Sequence, residues 1–545
     1  MSTYYVENFG CRATQADGAN LEHQFQLRGL SRAPTPAQAS VVVMNTCTVT
    51  AAADQDARAA IRRVRRQNPD AQIVVTGCYA QRAPQEIAAL PGVSVVVGNS
   101  HKHQLVEIVT QTQTSDLGPQ PSDTAFVPLA MLGTNSSSNL LAEPQPSRWN
   151  PEARSPRPEV RSFVSDIFAH TELLAAPVFD PTDGNENSRT RPNLKVQDGC
   201  DNRCSFCVIP FVRGQSRSLP FDRILSEVNA LVNSGYREVV ISGINLGRWG
   251  RDLSADRLPA SSFRTHITES ENAFRKPGAE SRKPTFENLI RAILANTSLE
   301  KLRISSVEPM DWTDELISLV ASSPRIAKHA HVPLQSSSDA VLRRMHRKYR
   351  PWHYREKIEK IRAAMPTAAI GADVMVGFPG ETDAEFEATR SMIETLPLTY
   401  LHVFTYSPRP GTPAAAMPNQ VPVHLARDRN RILRELGAEK KHAFMRTFIG
   451  QEIQAITLSS CGAASCGAGA PARAASTTKL ADQPQHPPVF TEALTENYLK
   501  LRLRGHHASN HWLRAQIEDV VDGTLVGQPH ATPRTAASKL SKVHP

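Results

Sequence analysis

The chain has 545 residues, more than one hydrophobic core usually organises, so three or more domains are expected. Hydrophobic residues make up 40%, no run approaches the roughly 18 apolar residues that span a bilayer, and the N-terminus lacks a signal peptide's basic and apolar regions. That excludes a membrane protein and predicts a soluble, cytoplasmic one; eight cysteines without a secretory signal argue against a disulfide scaffold, and a net charge of +9 fits RNA without requiring it.

Residues 1–110 alternate short β-rich runs (Thr3–Val6, Val41–Met44, Ile73–Val75, Val95–Val97) with helix-like stretches such as Asp54–Gln67, the pattern of a parallel α/β domain. Cys11, Cys47 and Cys78 each follow a β-rich run. Carboxyl ends of parallel strands share one sheet edge, so these thiols can converge there as metal ligands; for any one of them, a buried structural cysteine is the alternative. Residues 111–190, rich in Ser, Pro, Asn, Thr and Gln, read as a flexible linker or insertion.

From 191 to 447, strand-like runs recur at Leu194–Val196, Glu238–Ile241, Leu302–Ser305, His329–Leu334, Ala369–Val376 and Tyr400–Thr405, most of them separated by helical patterns such as Phe221–Asn233, Trp352–Met365 and Ala384–Leu396. This predicts an open (β/α)6 barrel with a polar insertion at 253–283. Immediately after its first strand, Cys200, Cys204 and Cys207 form a CxxxCxxC loop. Scattering eight cysteines at random would give this spacing only about 0.002 times, so coincidence is a poor explanation. Three thiolates on one loop can hold three irons of a 4Fe-4S cube and leave the fourth open; a zinc site is the rival, and it needs a fourth ligand from elsewhere.

Strand ends further along carry Gly243, Asn245, Ser306, Glu308 and Asp373, which suit close approach to a ligand or to its amine and ribose groups, and are equally compatible with turn chemistry. His329 and His331 carry no mark of metal ligation. Residues 448–526 contain β-like pieces (Glu452–Leu458, Val489–Ala493, Asn497–Leu503) around a low-complexity loop, as in a small β-barrel; Cys461 and Cys466 in that loop read as incidental thiols. Lys500, Arg502 and Arg504 alternate, so they share one strand face that either meets RNA phosphates or is simply solvated. Residues 527–545 read as a disordered basic tail.

The loop Cys200-Asp201-Asn202-Arg203-Cys204-Ser205-Phe206-Cys207 resembles the signature of radical S-adenosylmethionine (SAM) enzymes. In that superfamily the amino and carboxylate groups of SAM bind the open iron, and an electron from the cluster cleaves SAM to a 5′-deoxyadenosyl radical. The resemblance places Phe206 against the adenine, where an ordinary loop-anchoring aromatic is the alternative, and makes Gly243, Asn245, Ser306, Glu308 and Asp373 part of the SAM and substrate pocket. The segments Gly10-Cys11, Asn45-Thr46-Cys47-Thr48-Val49-Thr50 and Thr76-Gly77-Cys78-Tyr79-Ala80-Gln81 closely resemble the N-terminal domain of the methylthiotransferase family, whose three thiolates hold a second, auxiliary 4Fe-4S cluster that takes part in sulfur delivery. Two departures stand out: Arg12-Ala13-Thr14-Gln15 replaces the family's usual Lys-x-Asn, and Ser337 stands where the family usually has Gly.

Gln197–Arg203, Arg213–Ser218 and Ile244–Gly247 look most like the branch acting on N6-threonylcarbamoyladenosine at position 37 of tRNA, beside the anticodon. Related branches act on isopentenyladenosine in tRNA or on a ribosomal protein, and a noncatalytic iron–sulfur RNA-binding protein is the rival of another class. Thr495-Glu496-Asn497-Tyr498 resembles the end motif of an RNA-binding TRAM domain. The resemblance therefore implies two 4Fe-4S clusters and SAM as cofactors. Its implied partners are tRNA, an electron donor such as a flavodoxin or ferredoxin, and a sulfur source.

Overall fold

The computed structural model describes residues 2–111, 160–169, 190–253, 284–458 and 489–530. The insertion at 253–283, apart from its first residue, and the loop with Cys461 and Cys466 lie outside the described residues, as does most of the tail.

The first domain is a parallel sheet of six strands: β1 (Thr3–Asn8), β2 (Ser31–Arg32), β3 (Val41–Thr46), β4 (Gln72–Gly77), β5 (Val93–Val97) and β6 (Arg161–Phe163), in the order β2-β1-β3-β4-β5-β6. Its central strands are buried on both faces, which is why they read as continuous apolar runs rather than alternating ones. Helices Arg12–Leu27 and Ala51–Gln67 cover the sheet. The strand β6 corrects the expectation of a linker throughout 111–190, because Arg161–Phe163 pairs in register with Val95–Val97.

The second domain holds six parallel strands in two three-stranded sheets. The first sheet is β7 (Asn193–Lys195), β10 (Glu238–Ser242) and β11 (Lys301–Ile304); β8 (Gln197–Asp198) and β9 (Arg217–Ser218) form a small ladder beside it. The second is β12 (His329–His331), β13 (Ala369–Val376) and β14 (Tyr400–Thr405). A bridge between Leu302 and Ile326, and the hydrogen bond from the Val307 N–H to the His331 carbonyl (3.1 Å), join the two halves into an open barrel.

Alternation along these strands separates two environments. Leu194, Val239, Ile241, Leu302, Ile304, Ile370 and Val374 point outward into the main hydrophobic core, against helices Phe221–Asn233, Phe286–Asn296 and Pro351–Ala364. The registers put Lys195 beside Ser242, Glu238 beside Lys301, His331 beside Gly371, and Asp373 beside His402, so the opposite faces make a polar barrel interior.

The third domain is a closed barrel of β15 (Glu452–Thr457), β16 (Phe490–Thr495), β17 (Lys500–Arg504), β18 (Trp512–Val521) and β19 (Thr524–Pro529). Closure removes free sheet edges. The strand β19 carries order to Pro529, past the start expected for the tail. This small barrel docks beneath the large one through its β16–β17 turn. There Lys301 bonds the Glu496 carboxylate (3.2 Å), Arg303 the Glu496 carbonyl (3.0 Å), and Asn497 donates to the Thr367 carbonyl (3.0 Å). No helix among the described residues is long and apolar enough to cross a membrane.

Candidate functional site

The first cysteine set gathers on one edge of the N-terminal sheet. Cys11 caps the helix Arg12–Leu27, Cys47 follows β3, and Cys78 opens the short helix Cys78–Arg82 after β4. Gly10 has φ +96°, and a Cβ on it would stand 2.5 Å from the Cys47 Cβ, so only glycine lets this backbone pass so close to the second thiol. Burial, reinforced by Cys78, pushes the Cys47 thiol up to about 12.

The second set lies on the loop between β8 and helix Ile209–Arg213. Each of two sulfurs has a nitrogen donor aimed at it. The Asn202 N–H lies 3.4 Å and the Asn245 Nδ2 3.8 Å from Cys200 Sγ, and Arg347 Nη1 lies 3.4 Å from Cys204 Sγ. Burial, with Cys204 next in effect, pushes Cys207 up to about 12. Asn202 Oδ1, Ser242 Oγ and Asn245 Oδ1 are buried without a partner among the described residues, as polar atoms meant for a bound group would be. A small open crevice of about 20 Å³ beside the loop is lined by Asn202, Cys204, Arg248, Glu308, Arg347 and Tyr349.

Among the described residues, no three His, Cys, Asp or Glu side chains converge on one metal ion. A 4Fe-4S cube carries each thiolate on a different iron, so its sulfurs stand farther apart than the ligands of a single ion. The nitrogen donors pointed at Cys200 and Cys204, with partnerless polar atoms nearby, fit a bound cluster.

Asn99 ties the two sets together. Its Nδ2 lies 3.6 Å from Cys78 Sγ and donates to the Val212 carbonyl (2.7 Å), on the helix that follows Cys207. Behind this junction lies a buried charge network spanning both domains. Asp17 takes Lys102 (3.1 Å), Lys195 and Arg213 (3.1 Å), while Asp198 takes Lys195 (2.9 Å) and Arg213 (3.0 Å). Three cations against two carboxylates leave one positive charge in excess beside Cys11 and Cys78, opposite in sign to thiolates.

The strand-end residues divide into two groups. Asn245 lies at Cys200; Glu308 pairs with Arg347, which reaches Cys204; and Gly243 lies under the Gln197 side chain. Ser306 and Asp373 instead meet at His331, 2.6 Å and 3.3 Å away, inside the barrel. Phe206 packs edge-on against Phe378, with ring centroids 6.3 Å apart. Positive φ in the His331–Ser337 turn falls on Gln335 (+62°), so the Ser at 337 needs no unusual backbone.

Sequence reasoning missed the residues that line and close the barrel interior. Tyr400 and His402 line it from β14, and Tyr498 enters from the small barrel, its ring 4.8 Å from His329. Arg12 reaches in from the N-terminal domain and donates to the Tyr498 hydroxyl (3.1 Å). The alternation of polar residues in β12 and β14 was the available signal. Lys500, Arg502 and Arg504 do share one exposed face of β17, and Arg504 is paired with Glu518 (2.8 Å).

Residues 3–98 match the family model described as uncharacterized protein family UPF0004, and residues 194–393 match the radical SAM superfamily. The threonylcarbamoyladenosine tRNA methylthiotransferase MtaB of Bacillus subtilis (strain 168) is 34% identical over 429 residues, 79% of each chain. The protein of the same name from Rickettsia prowazekii (strain Madrid E) is 33% identical over 82% of this chain and 86% of its own. The chain belongs to the radical SAM methylthiotransferase family. It is therefore a transferase, and its cofactors are SAM and 4Fe-4S clusters. A tRNA-2-methylthio-N(6)-dimethylallyladenosine synthase from Syntrophotalea carbinolica (strain DSM 2380 / NBRC 103641 / GraBd1) is 29% identical over 77% of this chain and 80% of its own.

Proposed function

We propose that this methylthiotransferase acts on tRNA, at C2 of N6-threonylcarbamoyladenosine beside the anticodon. The observation that carries the reading is the Asn99 bridge, which brings two three-cysteine sets to one junction at the barrel mouth. Cys200, Cys204 and Cys207 would hold the cluster that binds SAM, and Cys11, Cys47 and Cys78 the auxiliary cluster. When bound, these groups supply the hydrogen-abstracting radical, the sulfur and the methyl group, which an unactivated aromatic C–H requires.

The chain's own residues do the rest. Asn245 and Arg347 direct N–H donors at sulfur, which steadies charge on the thiolates. The polar interior, with Ser306, His331, Asp373 and His402, offers hydrogen-bonding groups to a nucleoside base. The exposed basic face of β17 offers phosphate contacts. An electron donor such as a flavodoxin or ferredoxin and a sulfur source complete the reaction, in the cytoplasm.

The substrate choice is supported by the relatives named for threonylcarbamoyladenosine, which stand at 29–34% identity against 29–30% for those named for dimethylallyladenosine. The test is nucleoside mass spectrometry after anaerobic incubation of reconstituted protein with threonylcarbamoyl-modified tRNA, SAM, sulfide and reductant. A methylthio mass gain on that nucleoside is expected. Deoxyadenosine release with no gain there, but with gain on dimethylallyl-modified tRNA, would overturn the substrate.

A further inference from the structure

The barrel interior holds more positive charge than its own carboxylates balance. Arg303 is fully committed: it pairs with Glu238 (2.5 Å) and bonds the carbonyls of Thr495 (3.4 Å) and Glu496 (3.0 Å). Arg191 lies 3.6 Å from the same Glu238. Asp373 lies 3.3 Å from His331 Nε2. Arg12 differs from these. Among the described residues its guanidinium has one hydrogen-bond partner, the neutral hydroxyl of Tyr498 (3.1 Å), with its carbon 5.9 Å from that ring's centroid, and no carboxylate pairs with it. Arg303 and Arg191 thus share Glu238, and of the three guanidinium groups Arg12 is the one with no carboxylate partner among the described residues.

Tyr498 registers the same excess. Burial works against ionising its phenol, yet Arg12, Arg191 and Arg303 together hold it below its ordinary value. Arg12 is also half-buried rather than free in solvent, so its head is held in place, and its backbone carbonyl is tied down by Asn193 Nδ2 (2.8 Å). A fixed, partly desolvated guanidinium without a counter-ion is a carboxylate receptor, because its planar fork matches the two oxygens of that group.

We propose that Arg12 is a specificity-determining residue that receives the threonyl carboxylate of the modified adenosine. The inference rests on the substrate reading given above. The two adenosine modifications differ at this point: a threonylcarbamoyl group ends in a carboxylate, whereas a dimethylallyl group is a neutral hydrocarbon that would leave Arg12 desolvated and unpaired. Arg12 adjoins Cys11, so a nucleoside whose N6 substituent is held there lies next to the N-terminal cysteine set.

The test compares two anticodon stem–loop RNAs, one carrying threonylcarbamoyladenosine and one in which the threonyl carboxylate is its primary amide. Binding to the cluster-reconstituted full chain is followed by fluorescence anisotropy, for wild type and Arg12→Gln, with iron per chain as the control for integrity. Wild type should prefer the acid by about tenfold or more, as expected of a charge-assisted contact. Arg12→Gln should lose that preference, with affinity for the amide changed by less than about threefold. Tyr498→Phe, which removes the hydroxyl partner but keeps the guanidinium and the ring it lies against, should keep it. An acid preference that survives in Arg12→Gln overturns the proposal, and so does a wild type that binds both RNAs equally, which decides the matter even if Arg12→Gln fails to hold iron. Methylthiolation of the acid-bearing RNA by wild type is scored in the same samples. Its absence would sink the substrate reading, whereas its presence without acid preference would sink only the role of Arg12.

Discussion

Gly10 and Asp17 show how single side chains set up the junction between the cysteine sets. At φ +96° and 2.5 Å from the Cys47 Cβ, a methyl on Gly10 has to displace either the Cys47 backbone or the loop that carries Cys11. Gly10→Ala should therefore lose the iron held by the first set and keep that held by Cys200, Cys204 and Cys207. Iron per chain after reconstitution should fall by about half, and undiminished iron would show that the loop relaxes freely. Asp17 is the counter-charge for three buried cations, and burial opposes its ionisation while Lys102, Lys195 and Arg213 hold its carboxyl far below the ordinary carboxylate range. Asp17→Asn leaves those cations facing Asp198 alone. It should cost roughly 3–5 kcal/mol of stability, as breaking a buried ion pair does, read from denaturant midpoints. The six cysteines stood out in sequence as candidate ligands because local spacing and position after strands mark them. Asp17 was not, because its partner Lys195 is 178 residues away and nothing near either one marks the pairing.

Strands β12, β13 and β14 keep stability and chemistry on opposite faces. Ile370 is fully buried against the helices, while Asp373, three residues on, faces the interior beside His331. Gly371 belongs to the inner face, where any Cβ would collide with the Tyr400 ring, so its small size is what lets Tyr400 line the interior. Ile370→Ala should cost about 2–5 kcal/mol, whereas Asp373→Asn should leave the unfolding midpoint nearly unchanged and lower the rate of methylthio transfer. Equal effects on stability would contradict the two-faced reading. All six barrel strands were legible from periodicity, since each outward face contributes to one continuous core. The strand β6 was not: it is three residues long, lies among residues of polar composition, and exists only because the edge of β5 offers it a register.

Ionic and hydrogen-bonded contacts help to hold the three domains together, so the assembly should respond to acid as a whole. The contacts that hold the N-terminal domain include the network around Asp17, the Asn99 bond to the Val212 carbonyl, and Asp54, which takes Arg409 from the barrel at 2.5 Å. The small barrel is held by Arg303, Lys301, Asn497 and the Tyr498 ring against His329. These docking contacts were not legible from composition, because they depend on how the domains meet. Burial, then Arg303, His331 and Arg12, hold His329 well below its ordinary 6.5, so it stays neutral and bonds Tyr400 Oη at 2.7 Å. In the unfolded chain the same imidazole takes up a proton near 6.5. The unfolded state therefore binds more protons below that value, and the stability His329 contributes is fully present above it and is lost as pH falls toward the folded value. His402, lowered by burial and by His331, acts in the same direction. Unfolding free energy should be flat above pH 7 and then decline by up to about 1.4 kcal/mol per pH unit for each such group. Asp17 and Asp198, both depressed from 3.8, add a second decline only below that value. His329→Gln should flatten the slope between pH 6.5 and 5 and leave the decline below 3.8 in place. Denaturant midpoints taken at half-unit pH steps would separate the two, and an unchanged slope in the upper window would mean that His329 is protonated in the folded protein.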